Sequence, residues 1–281
     1  MTEPVLDPGL YRELVRRALA EDLGWGDTTT LVVVPPEVRA TGTLTARADV
    51  VLAGLDVAVE AFRQLDPAVV VAARRHDGDL CRPAEPIAEI TGLAAPILTA
   101  ERTALNFLRH LSGVASVTRW LVQAGGGGVR IADTRKTLPL LRALQKYAVR
   151  VGGGSNSRLA LDEGVVIKTN HVRVAGSLRL AVERARAARP DTPVEVETAT
   201  IADVDEALAA GAAVLLFTGS SIDDLRHTVR LCAGRARVVV SGPVPVEAVA
   251  TLATTGADVV STGSMTESAP AADISFEIRL L

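Results

Sequence analysis

Hydrophobic and polar positions divide the chain into two differently patterned parts. From residue 129 onward short apolar runs recur: VRIADT (129–134), VVIKT (165–169), PVEVET (193–198), AVLLFT (213–218), RVVVS (237–241) and DVVST (258–262). Between them lie stretches of helical periodicity, such as LPLLRALQKYAV, SLRLAVERARAAR, IADVDEALAAG and PVEAVATLATTG. The later runs begin roughly 20 to 30 residues apart, the spacing of βα units around a parallel sheet. Six strands are too few for a closed eight-unit barrel. The pattern therefore leaves a doubly wound sheet, for which no strand opens on GxGxxG, or an incomplete barrel.

The first third reads differently. Residues 7–22 predict a helix with Leu10, Leu14, Val15 and Leu19 on one face. Strand-like pieces follow at 41–54 and 67–92, the second broken by a DG turn and prolines, with DVAVEAFRQLD (56–66) helical between them. A small antiparallel β unit is expected there. A long helical pattern runs from Thr99 to Gly125, with an interruption expected near Gly113, and the glycines 125–128 mark a joint.

Composition narrows the class. A chain of 281 residues suits one large domain or two modest ones. Its net charge of −3 and scattered arginines give no basic stripe, so nucleic acid is not an expected partner. Apolar residues make up 48%, yet no run approaches the length of about 18 that spans a bilayer. The first residues lack a basic start followed by an apolar block, so no signal peptide is expected. Cys81 and Cys232 stand alone, without metal-ligand spacing, which suits a reduced, cytoplasmic protein. With aromatic residues at 3%, the core must be built from Val, Leu, Ile and Ala.

Candidate chemistry sits where the apolar runs end. Of 30 Lys+Arg only Lys136, Lys146 and Lys168 are lysine, and two of these follow apolar runs beside other polar groups. A lysine kept against such a bias suits a compact, mobile point charge. The run ends give Asp133-Thr134-Arg135-Lys136, Lys168-Thr169-Asn170-His171, Glu197-Thr198, Thr218-Gly219-Ser220, Ser241-Gly242 and Ser261-Thr262-Gly263. In parallel α/β folds such ends converge on one ligand-binding face. Arg135, Lys136, Arg158, Lys168 and His171 would form a cationic cluster there, with Glu197 as its acid. The glycine-bearing turns SGP and STGSMT could offer backbone N–H groups to a phosphate. The residues alone imply an enzyme for small phosphorylated or polycarboxylate metabolites.

Several segments carry a more specific likeness. EDLGWGDTTT, TAERTALNFLRHLSGVAS, DTRKTLPLLRALQKYAVRVGGGSNSR, VVIKTNHV, VEVET and ISFEI together resemble the quinolinate phosphoribosyltransferase family, and they follow in order along nearly the whole chain. The resemblance implies an N-terminal α/β sandwich (1–107), against which 265–281 packs back. An open parallel α/β barrel of about six or seven strands (108–264) would carry the site, and the subunits would pair as a homodimer. It implies transfer of phosphoribose from phosphoribosyl pyrophosphate to the nitrogen of quinolinate, with Mg²⁺, releasing pyrophosphate and CO₂. Lys136, Lys168 and Glu197 would be catalytic. Arg135, Arg158, Thr134, Ser157, His171, Thr218, Ser241, Gly242, Thr262 and Gly263 would bind substrate, and Arg102 would reach the neighbouring subunit's site.

The motifs also depart from the family's pattern. Ser157 stands where a histidine is usual, Thr169 and Thr218 replace aspartates, Pro243 replaces a glycine, and Glu267 replaces a histidine. With both aspartates gone, only Glu197 remains to meet a metal. The cations expected on the dicarboxylate side are nearly complete, whereas the changes fall on the donor side. Besides an ordinary family activity, this leaves a diverged enzyme acting on another heteroaromatic carboxylate or another ribosyl donor, and a binding protein without turnover.

Overall fold

The computed structural model of the protein describes residues 5–219 and 221–281. The helices and strands of the first part are α1 (Arg12–Leu23), α2 (Thr28–Val33), β1 (Arg39–Ala46), β2 (Val50–Val51), α3 (Leu55–Leu65), β3 (Val70–Ala73), β4 (Leu80–Cys81) and β5 (Pro86–Leu93). Then come α4 (Ala94–Ala124), β6 (Arg130–Ala132), α5 (Arg142–Val151), β7 (Val165–Ile167), α6 (Thr169–Ala175), α7 (Leu178–Ala188) and β8 (Val194–Thr198). The chain closes with α8 (Ile201–Ala210), β9 (Val214–Phe217), α9 (Ile222–Cys232), β10 (Arg237–Ser241), α10 (Val246–Ala253), β11 (Val259–Ser261), α11 (Ser264–Glu267) and β12 (Ile274–Leu280).

These elements form two compact units. The first takes the chain through Arg119 with Pro139–Gly153 and Ser268–Leu281, and the second takes Trp120–Leu138 and Gly154–Glu267. In the first unit β1 lies between β12 and β5, and β3 adds to β5, making an antiparallel sheet. The C-terminal strand thus pairs along nearly all of β1, from Ala40↔Leu280 to Ala46↔Ile274. Gly42 leaves room for the Phe276 ring, since a Cβ there would lie 1.9 Å from it. That ring stacks on Phe62 of α3 at 5.7 Å between centroids.

Helix α4 runs without a break through Gly113, where an interruption was expected. The glycine serves close approach instead: a Cβ would meet the Pro270 carbonyl oxygen at 2.0 Å. Just before it and about one turn after it, small hydroxyls do similar work. Ser112 accepts from the Ala53 N–H at 3.0 Å and Ser116 from the Val51 N–H at 2.9 Å. The helix expected over 7–22 splits into a 3₁₀ turn at Pro8–Leu10 and α1, so Val15 and Leu19 are buried while Leu10 is exposed.

The second unit is the βα array. Its six-stranded parallel sheet has the order β6-β11-β10-β9-β8-β7. From β7 to β11 each strand lies beside its predecessor, without the reversal that defines a doubly wound sheet. The two end strands, β6 and β7, do not pair with one another, so the barrel is open. Ala132, Val214, Val239 and Val259 pack together, with Leu216 against them. One valine or alanine from each of β6, β9, β10 and β11 makes up this cluster.

Candidate functional site

The carboxyl ends of these strands surround a cavity of about 340 Å³ within the second unit. Thr134, Arg135, Lys136, Lys168, Ser241, Gly242 and Gly263, from the ends of the apolar runs, line it together with Ser157 and Arg158 of the loop after α5. Asp133, Val166, Glu195, Leu216 and Ser261 line it as well.

Asp133 organises one side. It is fully buried at the end of β6, and its carboxylate accepts from Asn156 Nδ2 (2.7 Å), the Ser157 N–H (2.6 Å) and the Ser157 hydroxyl (2.8 Å). The Ser261 hydroxyl donates to the Asp133 carbonyl at 2.9 Å. These bonds fix the segment that carries Arg158, and they commit the Ser157 hydroxyl to the protein. Arg135 presents its guanidinium next in sequence, with its Nε buried and unbonded. Such an orphaned donor beside a cavity invites an acceptor from a ligand. Lys136 is anchored through its backbone, its carbonyl accepting from the Thr266 hydroxyl at 2.7 Å. Gly263 lets this lysine lie close: an added Cβ would meet Lys136 Cδ at 2.9 Å and Glu267 Oε1 at 3.0 Å. Glu267 therefore stands beside the cavity's glycine turn.

The opposite side begins at β7. Lys168 caps α6, and its N–H donates to His171 Nδ1 at 2.9 Å, so that imidazole serves the helix start rather than lining the cavity. The Lys168 ammonium lies 3.7 Å from Glu197 Oε2, and the Thr169 hydroxyl donates to Glu197 Oε1 at 2.7 Å. Glu197 is thus held by two groups at the rim. Three other expected residues take structural parts. Thr218 bonds back to the Thr198 carbonyl at 3.3 Å. Thr262 is buried, and its hydroxyl accepts from the Ser264 N–H at 3.3 Å. The Gly242 N–H is spent on the Ser261 carbonyl at 3.3 Å, and Pro243 has no N–H to add. Arg102 belongs to the first unit, where it lines a separate cavity of about 350 Å³ with Asp22, Asp27 and Thr99.

The residue that the run ends do not reveal is Glu195. It sits two places before Glu197 on β8, between Val166 of β7 and Val214 of β9. The alternation of PVEVET does place both glutamates on one face of the strand, which is the signal that could have found it. Burial pushes the Glu195 carboxyl above the usual carboxylate range, with Arg237 and Arg158 opposing that shift.

Fold and site together define an open α/β barrel with an anion-receiving cavity at its strand ends. Sequence comparison makes the class specific. The model of the quinolinate phosphoribosyl transferase N-terminal domain matches residues 27–112, and that of the C-terminal domain matches residues 114–277. The nicotinate-nucleotide pyrophosphorylase (carboxylating) of Mycobacterium leprae is 39% identical over 274 residues, covering 95% of this chain and 96% of that one. Among solved structures, NadC from Streptococcus pyogenes is 37% identical and superposes with a TM-score of 0.93, covering 99% of both chains. The nicotinate-nucleotide pyrophosphorylase of Francisella tularensis is 34% identical, with the same TM-score of 0.93. The chain belongs to the quinolinate phosphoribosyl transferase family.

Proposed function

We propose that this protein transfers the phosphoribosyl group of phosphoribosyl pyrophosphate to quinolinate, yielding nicotinate mononucleotide, pyrophosphate and CO₂. The observation that carries the reading is the convergence of Arg135, Lys136, Arg158 and Lys168 on one cavity. Quinolinate is a planar dianion. Its two carboxylates suit the fork of an arginine and the point charge of a lysine, while Val166 and Leu216 offer apolar surface to the ring. Bond formation between the ring nitrogen and the ribose C1 expels pyrophosphate. The ring becomes a pyridinium, whose positive nitrogen stabilises the in-plane electron pair left on C2 as CO₂ departs, and C2 then takes a proton from solvent. Much of the catalysis then lies in orientation and in cations placed for the anions involved.

Glu197 would face the ribose, with Thr169 and Lys168 fixing its two oxygens. Among the described residues no cluster of three or more His, Cys, Asp or Glu stands ready for a metal. That donor set still fits Mg²⁺, which binds through one or two carboxylates together with substrate phosphates. Glu197 would meet the ion, whose charge would neutralise the departing diphosphate. A homodimer in which Arg102 completes the neighbouring subunit's site, a cytoplasmic setting, and a barrel unit that carries the chemistry form part of the same reading. No helix among the described residues is long and apolar enough to cross a membrane.

The test is a steady-state assay of purified protein with quinolinate, phosphoribosyl pyrophosphate and Mg²⁺, following pyrophosphate and nicotinate mononucleotide together. Equimolar release of the two is expected. Quinolinate binding without release would overturn the reading in favour of a binding protein.

A further inference from the structure

The short helix α11 is built against Lys136. Its buried Thr266 donates through the hydroxyl to the Lys136 carbonyl at 2.7 Å. The Thr266 and Glu267 N–H groups both donate to the Gly263 carbonyl at 2.9 Å. The backbone that carries Glu267 is therefore fixed relative to that of Lys136. Gly263 completes the arrangement, and not through its own conformation, since its φ is not in the left-handed region. What it supplies is space. The point where a Cβ would stand is 2.9 Å from Lys136 Cδ and 3.0 Å from both Cδ and Oε1 of Glu267. A larger residue would wedge the lysine stem and the carboxylate apart. One glycine thus brings an acid up to a cation of the ligand cavity.

That acid has no partner of its own. Asp133 is bonded by Asn156 and Ser157, and Glu197 by Lys168 and Thr169. Among the described residues the exposed Glu267 carboxylate accepts no hydrogen bond and meets no cation within 4.0 Å. The Lys136 ammonium lies two bonds beyond Cδ, so rotation about the last two side-chain torsions carries it into the cavity or across to Glu267. We propose that Glu267 is a competing carboxylate for Lys136, and that it sets how tightly the cavity holds its anionic ligand. It offers the ammonium a second seat, and it turns a negative charge toward the ligand's carboxylates. Both effects act in one direction, weakening the hold on a ring dicarboxylate. The inference rests on quinolinate being the acceptor, and no covalent bond is made or broken.

The test is calorimetric titration of the whole protein with quinolinate, without the ribosyl donor, at two salt concentrations. At about 0.05 M salt, where exposed charges are weakly screened, Glu267→Gln is expected to bind quinolinate about two- to fivefold tighter than the unaltered protein, the range for exposed charge pairs. Glu267→Asp keeps the charge and should stay closer to the unaltered protein. Nicotinate, with one carboxylate, should gain less than quinolinate from Glu267→Gln. At about 0.5 M salt the gain should shrink toward none, since charges a few ångströms apart in solvent are then largely screened. A merely structural effect of the substitution would not follow salt in this way. Equal affinity of the two proteins at low salt, or a gain undiminished at high salt, would overturn the proposal while leaving quinolinate as the acceptor. Failure of quinolinate to bind the unaltered protein would remove the acceptor reading, and this inference with it.

Discussion

Asp133 decides where Arg158 stands. Its carboxylate is fully buried and gathers three donors from Asn156 and Ser157, so the segment leading to the arginine has little freedom. In Asp133→Asn one oxygen becomes an amide that faces a donor it cannot accept. The cost should be about 2–4 kcal/mol, the range for a buried charged group that loses its matched partners. A urea melt would measure it, and a loss below about 0.5 kcal/mol would contradict the role assigned to Asp133. Thr169 acts on a smaller scale. Thr169→Val keeps the side chain's shape and removes the donor to Glu197 Oε1. Because the bond is exposed, stability should hardly change. KM for phosphoribosyl pyrophosphate should rise about three- to tenfold, as for one lost exposed hydrogen bond worth about 0.7–1.4 kcal/mol, while KM for quinolinate stays level. If both KM values move together, Glu197 is not a donor-side residue.

At the scale of elements, the βα array was legible because each apolar run is short, β-branched and followed by helical periodicity. The order of its strands was not, since periodicity says nothing of which edge a strand joins; β6 beside β11 had to be seen. Helix α4 shows a second limit. A glycine within a helical pattern reads as a break, because glycine costs a helix about 1 kcal/mol relative to alanine. Here Gly113 is kept for the contact with Pro270. The two effects compete in Gly113→Ala. Helix propensity would gain about 1 kcal/mol, whereas overpacking against a carbonyl 2.0 Å away should cost about 3 kcal/mol or more. Net destabilisation of roughly 2 kcal/mol is therefore expected in thermal or denaturant unfolding. A stabilised variant would mean that the irregular segment before β12 yields more easily than the packing implies.

At the scale of the molecule, what the sequence could show of the site depended on distance along the chain. The cations at the strand ends could be read directly, since a parallel fold gathers those ends. Glu195 was overlooked because it lies within its strand. Arg102 could be placed only by resemblance, for it belongs to the other unit and its proposed target lies on a second copy of the chain. That assignment has a decisive test, because a residue shared between subunits can be complemented. Arg102→Ala and Lys168→Ala should each lose most activity, on the order of a hundredfold or more for a lost charge in a catalytic site. If Arg102 serves the neighbour, a mixed dimer of the two variants places both substitutions in one site and leaves the other intact. Random exchange makes half of the dimers mixed, so the mixture should recover about a quarter of the unaltered activity. If Arg102 serves its own subunit, every site in the mixed dimer carries one substitution, and mixing recovers nothing. The exchange itself can be followed by tagging one variant, so a silent mixture of exchanged subunits would assign Arg102 to its own chain.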